Sequence, residues 1–122
     1  MAVTIAPLDV RGHALRIIKD ANANATAENN VNDGAATVYA VRFENAAVAA
    51  ASFLKLYNVT PVTVGTTDPD MILMCPLSVN RTFVIRTGTN FATALSYACV
   101  TTAGTAGTTN PTATVLVDIL VG

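Results

Sequence analysis

Charge is scarce in this sequence. Seven Lys and Arg and eight Asp and Glu are all that 122 residues carry, and the net charge is -1. A protein that binds nucleic acid by displacing phosphate counterions needs a basic face, and this balance does not supply one. There is one histidine, His13, and no tryptophan. A Ser-His-Asp or Cys-His arrangement would have to use His13, and no nucleophile motif lies beside it. The two cysteines, Cys75 and Cys99, each sit inside an apolar run. With one histidine they make neither a zinc site nor a disulfide framework, and they read as small, unpaired core thiols. The longest uncharged apolar stretch, Ala46 to Leu54, is far short of the roughly 20 residues that span a bilayer. Met1 to Asp9 lacks the basic and apolar regions of a signal peptide.

Apolar residues make up 52% of the chain, too many for intrinsic disorder. The length suits one domain with its own core. A solitary soluble protein usually covers itself with Lys and Glu. This one has Ala, Thr and Asn in their place.

Three textures follow one another. Residues 1–20 mix apolar and charged side chains, and His13 to Lys19 suits a strand or a turn or two of helix equally. Residues 21–35 alternate Asn with Ala and close on Asn32-Asp33-Gly34, a turn signal, so they read as a surface loop or an extended arm. From residue 36 the pattern is β. Thr37, Tyr39, Val41 and Phe43 alternate with Val38, Ala40, Arg42 and Glu44. Asn45 to Ala51 is Ala-rich and suits a helical turn. Ser52 to Asn58 alternates again, with Leu54 and Leu56 opposite Phe53, Lys55 and Tyr57. Met71 to Cys75 is a short apolar strand ended by Pro76. Thr82 to Arg86 is a strand that stops at Thr87-Gly88-Thr89-Asn90. Phe91 to Thr102 is another, and Thr112 to Val121 closes the chain with Val115, Val117, Ile119 and Val121 on one face. Short strands separated by Gly, Pro and Asn turns predict an all-β fold, a small antiparallel β-sandwich over 36–122 preceded by an extended N-terminal arm or loop-rich segment over 1–35.

Catalytic equipment is thin. Asp68 and Asp70 flank Pro69 and could share a hard cation, but a cation loop needs more oxygen ligands than this pair, and the reading taken is Asx turns around the proline. Gly104 and Gly107 form a loose glycine loop with no following Lys and a strand, not a helix, behind it, so a phosphate cradle is unsupported. Asp118 faces away from the apolar side of its strand, toward solvent or a subunit contact. The seven aromatics are spaced for core packing, with no exposed ladder to stack sugars or bases. The expectation is a binding or structural protein, not an enzyme, with no cofactor and no metal.

The run Ala51-Ser52-Phe53-Leu54-Lys55-Leu56-Tyr57-Asn58, followed by Thr60-Pro61-Val62-Thr63-Val64-Gly65-Thr66-Thr67-Asp68-Pro69 and by Ile72-Leu73-Met74-Cys75-Pro76-Leu77, resembles a small β domain of tailed-bacteriophage structural proteins. Phe91 to Thr101 resembles a second signature of that family, with Ala94 where the pattern has Gly. Val115 to Leu120 resembles its last strand. The resemblance spans roughly residues 38–121.

That resemblance implies a jelly-roll-like sandwich in the virion: a capsid decoration (cement) protein on the capsid exterior, made in the host cytoplasm. It implies a homotrimer, with the major capsid protein as partner and neither nucleic acid nor membrane. The arm would lie on neighbouring capsid subunits, so removing residues 1–20 would abolish capsid binding and leave the sandwich folded. Leu8, His13, Arg16, Arg42, Arg81 and Arg86 are the candidate capsid or subunit contacts, since arginine is enriched in interfaces. The bland alternative for the arginines on strands is protection of sheet edges. The alternative function is a host-recognition module of a fibre or tail that binds a surface receptor or glycan through the loops at 59–70 and 103–111.

Overall fold

The computed structural model describes residues 3–10, 13–47 and 49–122, with the side chains of residues 3–5, 15–47 and 49–122. Eight strands follow one another: β1 (Val3–Val10), β2 (His13–Asp20), β3 (Ala36–Asn45), β4 (Ser52–Tyr57), β5 (Met71–Cys75), β6 (Val79–Phe91), β7 (Ser96–Val100) and β8 (Val115–Val121). They form two antiparallel sheets, one of five strands in the order β1-β2-β8-β3-β6 and one of three in the order β5-β4-β7. The inner faces share one apolar core. Ile18, Val38, Val41, Phe43, Val117 and Ile119 come from the larger sheet, and Leu54, Leu56, Tyr97 and Cys99 from the smaller. Each such side chain contributes about 1.5–3 kcal/mol by leaving water. This is the all-β, sandwich-like arrangement that the strand pattern predicts.

β8 behaves as read: Val115, Val117, Ile119 and Val121 are buried, and the residues between them are half-exposed. β3 departs from its predicted face. Ala36 and Val38 are buried, but so are Val41 and Phe43. Val38 and Ala40 pair with the adjacent residues Val121 and Leu120 of β8, so Tyr39 is an extra residue. A bulge of this kind flips the alternation beyond it. On the other side, Val38 pairs with Thr89 and Ala40 with Val84. The segment Ile85 to Gly88 therefore stands against Tyr39 alone, and β6 runs on through the predicted stop to Phe91. Gly88 has φ 76° and lies under the Tyr39 ring, so a Cβ there would be both strained and blocked.

The expected N-terminal arm is corrected over its first part. Residues 3–20 form a hairpin, and Arg16 to Asp20 pair with β8 inside the larger sheet. The reason is burial: Ile18 faces Ile119 in the core and Asp20 is enclosed beside it. Residues 21–35 are loop, as expected, and they lie along the open edge of β7. Cys99 N–H donates to the Asn24 carbonyl, Glu28 exchanges two hydrogen bonds with Tyr97, and Val31 N–H donates to the Leu95 carbonyl. A strap of this kind covers a strand edge that would otherwise offer unpaired backbone groups.

The helical turn expected at 45–51 is absent among the described residues. Asn45 is buried, and its side-chain amide donates to the carbonyls of Ala50, Cys75 and Pro76 while its oxygen accepts from Ala47 N–H and Ser52 Oγ. Those bonds satisfy the backbone locally and outweigh the helix propensity of alanine. The strand expected from Phe91 is confined to Ser96–Val100.

Candidate functional site

The four candidate contacts whose side chains are described do not gather at one place. Leu8 and His13 lie outside the residues whose side chains are described. Arg16 is opposite Val121 on the β2 side of the sheet, whereas Arg81 is opposite Phe43 on the far edge strand. Arg86 sits, exposed, in the excursion of β6 against Tyr39. Arg42 points from the outer face of the larger sheet. It pairs with Glu44 at 3.0 Å and with Asp118 at 3.4 Å. Asp118 thus lies on the face away from the core, as its place in the sequence implies.

Arg81 is the one that borders an apolar surface. Its guanidinium donates to the Met74 carbonyl at 3.2 Å and ties β6 to the edge of the smaller sheet. Along that corner Ile72 is 41% exposed, Met74 38%, Leu77 49% and Val79 38%. Ile72 and Met74 project two residues apart from the edge strand β5, Leu77 caps the turn and Val79 opens β6. Four large exposed apolar side chains along one β5-to-β6 crossing between the two sheets, beside an arginine and containing methionine, have the make-up of a protein contact. Sequence reasoning missed this corner because Met71 to Cys75 reads as a buried strand. The signal was there: an apolar run at a sheet edge has a second face with nothing to cover it.

The loops at 58–70 and 101–110 close over the outer face of the smaller sheet. Thr105 Oγ1 donates to Asp68 Oδ1 at 2.8 Å, and Asn58 N–H donates to Asp70 Oδ2 at 2.6 Å. Each aspartate therefore fastens a loop. Beneath them lies Lys55, wholly buried, with Nζ donating to the Gly104 carbonyl at 2.5 Å and reaching the Gly107 carbonyl at 3.4 Å. Burial pushes its ammonium below the ordinary lysine range. The glycine loop turns carbonyls inward toward a cation, the reverse polarity of a phosphate cradle.

The two thiols are buried and unpaired. Cys75 and Cys99 lie on β5 and β7, on opposite sides of β4. Two strand spacings are about 9.6 Å, beyond the roughly 7 Å limit for a disulfide. Burial pushes Cys99 up to about 12 and raises Cys75 as well. Neither is a ready nucleophile. The outer face of the larger sheet has two shallow troughs, of ≈ 260 and ≈ 360 Å³, and neither is lined by histidine, cysteine or serine. Among the described residues no group of three or more His, Cys, Asp or Glu is placed to hold a metal ion.

Comparison with protein-family models, with curated proteins and with solved structures gave no match for this chain.

Proposed function

We propose that the protein is a structural virion protein of the tailed-phage kind, a capsid decoration protein that clamps the outer capsid surface through protein–protein contacts and performs no chemistry. In this reading the two sheets are a jelly-roll-like variant, with eight strands divided five and three, and the partner is the major capsid protein. One observation carries it: the exposed corner of Ile72, Met74, Leu77 and Val79 beside Arg81. The sequence resemblance gives that surface its expected partner, and the sparse charge of the chain agrees with service inside a large assembly. Repetition over a shell turns a modest contact into stable clamping.

Particle reconstruction tests the reading. Density for the chain is expected on the capsid exterior between capsomers, and its absence there overturns the proposal. The double variant Met74→Glu, Leu77→Glu is expected to bind particles at least about tenfold more weakly with an unchanged melting temperature.

A second reading, a fibre or tail module for a host receptor or glycan, has one observation in its favour. The loops at 59–70 and 103–111 are fastened to each other by the Thr105–Asp68 bond. Copy number separates the two. Gel densitometry of virions gives a number close to that of the major capsid subunit for a decoration protein and far fewer for a fibre or tail module.

A further inference from the structure

β8 is the central strand of the larger sheet, and it reads Val-Leu-Val-Asp-Ile-Leu-Val. Its inward residues fill the core. Its outward residues are Leu116, Asp118 and Leu120, so it is apolar on both faces except at one position. Antiparallel strands with one face in water alternate apolar with polar, and strands apolar on both faces belong where both faces are covered. Among the described residues nothing covers this one.

The neighbouring strands extend the pattern. Register aligns Ile17 of β2, Leu120 of β8, Ala40 of β3 and Val84 of β6 in one row across the outer face. Val84, at the end of the row, is 70% exposed. The next row holds Lys19, Asp118, Arg42 and Thr82 in the same strand order. Asp118 and Glu44 both pair with Arg42. At the register-paired positions of this face the described charges are therefore Lys19 and Arg42 against Glu44 and Asp118, two of each sign; Arg86 lies outside them, in the unpaired excursion of β6.

We infer that a second copy of this chain covers the face, sheet against sheet, with the apolar row of one copy on the apolar row of the other. Charge balance selects that occupant. A face with equal numbers of both signs has no field to attract an oppositely charged partner, whereas it can match itself in a two-fold, self-complementary contact. Area agrees. Five strands about 4.8 Å apart and seven residues with a rise of about 3.4 Å make a face of about 24 Å by 24 Å. Two such faces bury on the order of 1,200 Å², the lower bound for a specific, stable interface. Packed sheets about 10 Å apart leave room for side chains of the size of Leu120 and Val84. The inference is independent of the capsid reading and of the corner surface. It also pairs copies in twos, where the resemblance implies threes.

Sedimentation velocity and light scattering on the isolated full-length chain, with no particle present, test it. The wild type is expected at twice the chain mass at concentrations on the order of 100 μM. Leu120→Lys and, separately, Val84→Lys are each expected to raise the dissociation constant at least about tenfold. Val84 is mostly in water, so its variant keeps the fold and keeps the test valid if Leu120→Lys does not. Met74→Glu is expected to leave the dimer intact. A wild type that stays monomeric hands the face to a different protein and overturns the inference, and so does a trimer. A dimer indifferent to both lysine variants overturns it as well.

Discussion

Tyr97 and Asp20 show how a single pair sets the acid–base behaviour of this core. The Tyr97 hydroxyl donates to Asp20 Oδ2 at 2.8 Å, and Asn22 N–H donates to the other oxygen at 2.9 Å, with both side chains buried. Burial first, and the neighbouring carboxylate second, hold the Tyr97 proton well above the ordinary phenol range. Burial first, and the same carboxylate after it, push Cys99 up to about 12 from 9.0. In the unfolded chain both groups release their protons near their ordinary values. Between about pH 9 and pH 12 the folded state therefore holds more protons than the unfolded state, and stability falls as pH rises. Lys55 acts in the opposite sense. Its ammonium is depressed by burial, so it adds stability as pH rises toward 10.5, but it is one group against four, since burial raises Cys75 and Tyr57 as well. Thermal melts from pH 8 to pH 11 are expected to show a steep loss of stability. Cys99 accounts for on the order of 3 kcal/mol of that loss between pH 9 and pH 11, so Cys99→Ala is expected to make it shallower. Equal slopes in the variant and the wild type would contradict this account.

Elements reveal which local rules held and which lost to tertiary context. The strand at 115–121 was legible because its period is regular and its neighbours are loops. The face of β3 was not, because one inserted residue, Tyr39, reverses every later position and leaves no mark in the alternation itself. Residues 13–19 were ambiguous between strand and helix because the partner that decides the matter, β8, lies at the far end of the chain. From the alternation, Lys55 reads as an outward residue opposite Leu54 and Leu56. That is correct for its direction and wrong for its surroundings, since the glycine loop lies over it. The position makes a prediction at the scale of that loop. Lys55→Met keeps the volume and removes a buried charge that has no carboxylate partner among the described residues. Global stability is expected to stay within about 1 kcal/mol of the wild type or to rise. The loop loses its central bond, and hydrogen exchange at Gly107 and Thr101, whose N–H groups donate to Gly104 and Thr109, is expected to quicken about tenfold. A fall in global stability with unchanged loop exchange would show that Lys55 supports the sheet instead.

At the scale of the whole molecule, the two ends of the chain meet in the middle of the larger sheet. β2 pairs with β8 over Arg16 to Asp20, placing Ile18 beside Ile119 and Asp20 beside Val117. Both β2 and β8 must be made before that sheet can close, and this non-local topology implies slow folding. It also changes what a truncation does. An N-terminal arm could be cut away without harm to a sandwich behind it. Removing residues 1–20 from this protein strips one side of β8 of its hydrogen-bond partners, exposes core that Ile18 covers and takes away the carboxylate that holds Tyr97. The burial of Ile18 alone contributes about 2–3 kcal/mol, and total stabilities of domains this size are about 5–15 kcal/mol. The truncated chain is therefore expected to lose its cooperative urea transition, or to show a midpoint lowered by half or more, with near-ultraviolet dichroism of its tyrosines reduced in step. Loss of capsid binding by such a fragment would then report unfolding, not the loss of a contact. The opposite outcome is equally informative: a truncated chain that melts like the full one and fails to bind particles would return residues 1–20 to the role of an arm.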